Sequence, residues 1–173
     1  MSFSLVRRAA TLSSLVLLVA CVAPVQYAKI TAAPQPVSVL ASVNKARLTD
    51  KTQPIEIRTI TKGADGKMQE VTGAKCKLTS DELRGEVMTP QAAVVPTFKQ
   101  SKDFAGRGLP SGLVADCTAG KLKGRAISIA QEKQVSTATG GGLGVALVTL
   151  AVTAAVASSA PWNWPPTLVV ELK

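Results

Sequence analysis

The chain has 173 residues, with no histidine, one tyrosine, three cysteines, and 20 lysines and arginines against 11 acids, for a formal net charge of +9. An apolar fraction of 46% bounds it to one modest domain with appendages. The missing histidine removes the commonest general base and metal ligand, and the scarcity of aromatics between singly spaced lysines removes the stacking platforms of nucleic-acid binders.

In chain order, the first feature is "RRAATLSSLVLLVACVAP" at 7 to 24. Arg7 and Arg8 form a short basic region, Ala9 to Ala20 an apolar run, and small residues meet Cys21. This is the grammar of an export signal. Twelve residues of helix reach only about 18 Å, short of the roughly 30 Å hydrocarbon core, so the run is too short for a simple transmembrane anchor. Without Arg7 and Arg8 the mature chain keeps a modest positive excess, which suits a solvated face or attraction to an anionic membrane surface.

Leu18-Val19-Ala20-Cys21 resembles the lipobox of bacterial lipoproteins. The resemblance covers the leader alone. It implies that residues 1–20 are removed and that Cys21 carries covalent diacylglycerol and an N-acyl chain, the only non-protein groups expected. Several acyl chains on one residue anchor far more firmly than one. Val22 stands where an aspartate would resemble an inner-membrane retention signal, which points to the outer membrane facing the periplasm, with the inner membrane or the cell surface as alternatives.

Residues 21–50 carry Pro24, Pro34 and Pro36 and no sustained period, and read as a lipid-anchored tether in which "VSVLASV" can pair as a first strand. From 51 to 133 the pattern turns to period two. Ile55 and Ile57 share a face in "IEIRTIT", as do Ala74, Cys76 and Leu78 in "AKCKLT" against Lys75 and Lys77, and "LVADC" and "RAISIA" continue it. Between them "GADG", "RGE", "TP", "GRGLPSG" and "TAG" read as turns. Short strands at this spacing predict a small antiparallel β-sandwich.

Cys76 and Cys117 take inward positions on two of these strands, and in an exported chain an even pair reads as a disulfide. A metal site would need ligands that are absent, and a redox pair usually has the close C-x-x-C spacing. The string "GAKCKLTSDELRGEVMTP", followed by "SGLVADCTAGKLKG", is similar to the PEGA-like β-sandwich repeats of bacterial lipoproteins, over about residues 54 to 131. That likeness implies an envelope module without catalysis and brings no binding residues. The insertion "QAAVVPTFKQSKDFAGRG" departs from the repeat and leaves the register there open.

Asp81, Glu82 and Glu86 fall in a turn-rich stretch, Asp103 and Asp116 have no partner that spacing identifies, and serine or threonine nucleophiles lack a histidine base, so the chain reads as no enzyme. Residues 134–160 are uncharged and centre on "GGGLGVALVTLAVTAAVASS". They are expected to form a Gly-rich helical segment in which Gly140 and Gly144 make a small-xxx-small packing pair. A membrane span, a buried element packed on the sandwich, and self-association through the glycine face all stay open. In residues 161–173, Leu168, Val170 and Leu172 share one face of an expected closing strand.

The expected fold is thus mostly β, a small antiparallel sandwich with one apolar, Gly-rich helix near the C-terminus. The expected function is that of a lipid-anchored envelope lipoprotein with a structural or interaction role. The alternative is an assembly or binding subunit that oligomerises or inserts through the Gly-rich segment. The membrane is the expected partner, with a protein partner or a second copy besides, and no nucleic acid or small-molecule substrate.

Overall fold

A computed structural model describes residues 24–132 and 160–173; Cys21, Gly140, Gly144 and the expected Gly-rich helix lie outside the described residues. Two sheets enclose one core. The smaller is built from the segments in which apolar and polar residues alternate: β5 (Lys75–Thr79), β6 (Leu83–Met88), β8 (Leu113–Ala119) and β9 (Leu122–Ser128). Their order is β6-β5-β8-β9, and every neighbour is antiparallel. Because side chains alternate along a strand, Cys76, Leu78, Leu83, Val87, Leu113, Ala115 and Cys117 are all buried while Lys75 and Lys77 face water.

The larger sheet departs from the expected antiparallel arrangement. Its centre is β3 (Leu48–Lys62) against β7 (Gln91–Lys99), which pair antiparallel, but β1 (Gln35–Pro36) runs parallel to β7 and β11 (Thr167–Leu172) runs parallel to β3. Parallel neighbours need a long connection instead of a hairpin, and both pairs have one: residues 37–90 lie between β1 and β7, and residues 63–166 between β3 and β11. Short strands β4 (Met68–Glu70) and β10 (Pro161–Trp162) extend β3 and β7. Pro96 is tolerated inside β7 because it lies opposite Thr52, where the register with β3 slips.

Both seams between the sheets are drawn together. On one side the chain crosses from sheet to sheet within a few residues. Residues 35–37 bond to β7, ending with Val37 N–H to the Val94 carbonyl, and β2 (Ser38–Val39) then pairs with β6, followed by Leu40 N–H to the Glu82 carbonyl. On the other side, Lys123 exchanges two backbone bonds with Lys173, and Gln131 exchanges two with Asn163. The stretch 163–173 therefore runs antiparallel beside 123–131, tied at both ends. Drawing strand edges together in this way protects them from pairing with other chains.

Two glycines make these closures possible. A Cβ on Gly85 would come 3.1 Å from Val37 Cγ2, and one on Gly124 would collide with the Glu171 carbonyl oxygen. Gly85 explains a misread signal. "RGE" at 84 to 86, expected as a turn, is the middle of β6, and its glycine makes room for the crossing segment. The tether is likewise shorter than its expected end at Asp50. Val37 and Val43 are buried, Lys45–Arg47 is a 3-10 turn capped by Asn44, and Leu48 already opens β3. Among the described residues no α-helix occurs.

Candidate functional site

The two cysteines meet directly across β5 and β8, with Cα atoms 4.0 Å apart and sulfurs 1.98 Å apart, joined as a disulfide. The bond therefore crosslinks neighbouring strands of one sheet at the core face and leaves no free thiol among the described residues. Outside it, each notable polar cluster ties the chain to itself at a point where pairing or packing requires it.

The first cluster holds the N-terminal segment. Arg58 breaks the alternation of β3 by being buried, with Glu70 alongside it (side chains 9% and 5% exposed), and its guanidinium donates to Glu70 at 2.8 Å and to Glu56 at 3.0 Å. The same guanidinium donates to the Ala28 carbonyl at 3.0 Å, Glu70 accepts from Ala28 N–H, and the Tyr27 ring stacks on it with its centroid 4.9 Å away. Burial opposes the charge of Arg58, but hydrogen bonds to Glu70 and Glu56 outweigh it, so its pKa lies above the ordinary guanidinium value. One arginine and one carboxylate thus grip both backbone groups of a single residue, and Gln91 adds a bond to the Ala33 carbonyl.

The second cluster binds loops at the other end. Glu82, 7% exposed, accepts from Ser111 N–H and Oγ–H, from Ser80 Oγ–H and from Arg47 Nη2. Arg47 stacks on Phe98 and also donates to the carbonyls of Gly108 and Leu109. Although Ser111 and Glu82 are adjacent, the carboxylate is already engaged by four donors, so the pair functions as a tie and offers no free base.

The third cluster frames the apolar excursion. Gln131 and Asn163 form an antiparallel bridge, so the described residues on either side of 133–159 lie together. Arg107, in the left-handed region at φ +57°, donates to Glu132 at 2.6 Å and to Gln100 at 2.7 Å, and lies 5.8 Å from the Trp162 ring centroid. The Trp162 indole N–H donates back to the Arg107 carbonyl, and that of Trp164 donates to the Pro96 carbonyl. A left-handed non-glycine residue costs about 1 kcal/mol or more, and the contacts of Arg107 with both sides of the root offset it.

On the outer face of the small sheet, register brings Glu86, Lys77, Asp116 and Arg125 into one row of alternating charge. Arg125 donates to both Asp116 oxygens at 2.6 and 3.1 Å and holds that carboxyl below the usual carboxylate range. Cross-strand pairs of opposite charge stabilise a sheet modestly. Among the described residues no three metal-ligating side chains cluster.

Sequence reasoning found Cys76 and Cys117 but missed Arg58, Glu82 and Arg107. The one available signal was Arg58 itself, a charge set among apolar residues in "IEIRTI". Glu82 and Arg107 sit in stretches that read as turns, where charged residues are expected to face water. Comparisons with protein-family models, with curated proteins and with solved structures found no match to this chain.

Proposed function

We propose that this protein is a lipid-anchored cell-envelope lipoprotein. Cys21 carries the acyl chains, and a disulfide-linked β-sandwich of the PEGA-like kind serves a structural or interaction role without catalysis. The observation that carries the proposal is the grip on Ala28. With Ala28 held by the domain, seven residues separate it from Cys21, a leash of at most about 25 Å, and this supports a domain kept close to the surface that would hold the anchor. The lipobox resemblance of Leu18-Val19-Ala20-Cys21 supplies the chemistry of attachment, and the outer membrane facing the periplasm is its proposed location.

The Gln131–Asn163 bridge bears on the choice among the three readings of residues 133–159. A segment that departs and returns at one bridge cannot cross a bilayer once while the domain is folded. Two passes of about 13 residues would reach only about 20 Å each as helices, less than the hydrocarbon core. This disfavours a helical span, single or paired, and leaves contact with a protein partner, a second copy or the domain itself, or a crossing by two paired strands, which need only about ten residues each.

The anchor is tested by metabolic labelling with palmitate and by mass spectrometry of the mature N-terminus. The wild-type chain is expected to gain acyl mass on Cys21 and to be processed in a globomycin-sensitive manner, and Cys21→Ser to lose both. Processing and labelling that persist in Cys21→Ser would overturn the proposal.

A further inference from the structure

We propose that one end of the sandwich, the end from which the N-terminal segment emerges, is a docking face for an anionic phospholipid surface. Strand register gathers exposed lysines there from distant parts of the sequence. Lys62 and Lys67 flank the β3–β4 hairpin. Thr61 of β3 lies beside Leu172 of β11, and the next residue, Lys173, is hydrogen-bonded to Lys123. Lys123 lies opposite Thr118, Thr118 lies opposite Lys75, and Lys121 occupies the turn that joins β8 to β9. All six are exposed.

Few exposed acids answer them. Asp65 accepts from the Lys67 backbone N–H within the hairpin, Glu171 lies 3.5 Å from Lys173, and Glu70 is enclosed by Arg58. At the opposite end Lys45, Lys51, Lys99, Lys102, Arg84 and Arg107 are interspersed with Asp50, Asp81, Asp103 and Glu132, Arg107 being paired with Glu132 and Arg84 bonded to the Ser80 and Leu83 carbonyls. The two ends are separated by most of β3, about 33 Å between Leu48 and Arg58 at the usual rise per residue. That is several Debye lengths at physiological salt, so an anionic surface touching one end is not felt at the other.

The N-terminal segment is bound at the lysine-rich end, where Arg58 and Glu70 grip Ala28. Chain path and charge therefore select the same face. One firm anchor sets the distance to the bilayer, and the lysines set the orientation, each strengthening contact with an anionic surface about fivefold. The opposite end, with the Gln131–Asn163 root, is then turned away from the bilayer. The inference rests on the anchored reading only for how the chain reaches the surface.

The test is lysine footprinting of the purified full chain, with the mass at Cys21 measured on the same sample. The chain is reconstituted in vesicles of phosphatidylcholine alone or with about a third phosphatidylglycerol and treated with a water-soluble amine reagent. On the anionic vesicles, labelling of Lys62, Lys67, Lys121 and Lys123 is expected to fall about tenfold relative to Lys45, Lys99 and Lys102, and to recover in 0.5 M salt. The Lys121→Glu/Lys123→Glu double variant, which changes one turn residue and one strand residue whose side chains are both exposed, is expected to lose most of that protection at Lys62 and Lys67 while keeping the unfolding midpoint of wild type. Equal protection at both ends, or protection unaffected by lipid charge, would overturn the docking face. An unmodified Cys21 would overturn the anchor and leave the footprint to be judged separately.

Discussion

At the scale of single residues, Arg58 shows how a buried charge can define where a chain attaches. Removing one member of a buried ion pair leaves the other uncompensated, which typically costs 3–5 kcal/mol. Arg58→Ala strands Glu70 and frees Ala28 together. It is therefore expected to lower unfolding free energy by about 3 kcal/mol in a denaturant titration, and to expose the chain around Lys29 to trypsin under native conditions. Arg58→Lys keeps the charge but cannot donate to Glu70, Glu56 and the Ala28 carbonyl in one fixed fork, so intermediate protection at Lys29 is expected.

Asp116 makes a smaller contribution of the opposite kind, near the surface. Its carboxyl, held down by Arg125, titrates lower when folded than when unfolded. Its stabilisation is thus fully present above the unfolded carboxylate pKa of about 3.9 and fades as the pH falls through the lower folded value. Stability measured against pH for Asp116→Asn should therefore fall less steeply than wild type below about pH 4, with the curves parallel above pH 5.

At the scale of elements, the disulfide and the close-approach glycines decide whether paired strands stay paired. Cys76 and Cys117 are separated by 41 residues, and a crosslink across such a loop is worth about 4 kcal/mol in the chain-entropy model. The Cys76→Ala/Cys117→Ala variant is expected to unfold at correspondingly lower denaturant with β5 and β8 still paired, as judged by unchanged far-ultraviolet dichroism of the native state. Gly124→Val drives a branched side chain against the Glu171 carbonyl oxygen and should part β9 from β11. Faster amide exchange at Lys123 and Lys173 than at Cys76 and Cys117 would report that local opening. The alternation in "AKCKLT" and "LVADC" made the small sheet readable from sequence, because one face of each strand meets water. The larger sheet was less readable. In "QAAVVPTFK" the half-buried positions Ala92, Val94 and Pro96 are apolar too, which hides the period.

At the scale of the whole molecule, residues 133–159 interrupt a sandwich that does not need them to bring its ends together. The Gln131–Asn163 bridge and the Arg107 contacts already place Glu132 beside Trp162. Replacing residues 135–157 with a short Gly-Ser loop is therefore expected to leave thermal unfolding cooperative. Truncation after Lys133 removes β11 from the side of β3 along with the buried Trp162, Trp164, Leu168, Val170 and Leu172, and should abolish cooperative unfolding. Calorimetry of the two variants separates a dispensable insertion from an integral closing strand.

Period-two strands, an inward cysteine on each of two of them, and a final alternating strand were legible in the chain's local patterns. These follow from short-range patterns of side-chain polarity and turn-forming residues. The parallel placement of β1 and β11, the passage of residues 35–40 from one sheet to the other, and the internal ties of Arg58, Glu82 and Arg107 emerge from the folded molecule. So does the gathering of the lysines at 62, 67, 75, 121, 123 and 173 at one end. The reason is that register and burial arise from contacts between residues far apart in the chain, and a lone arginine or a scattered lysine carries no mark of which distant backbone will come to lie beside it.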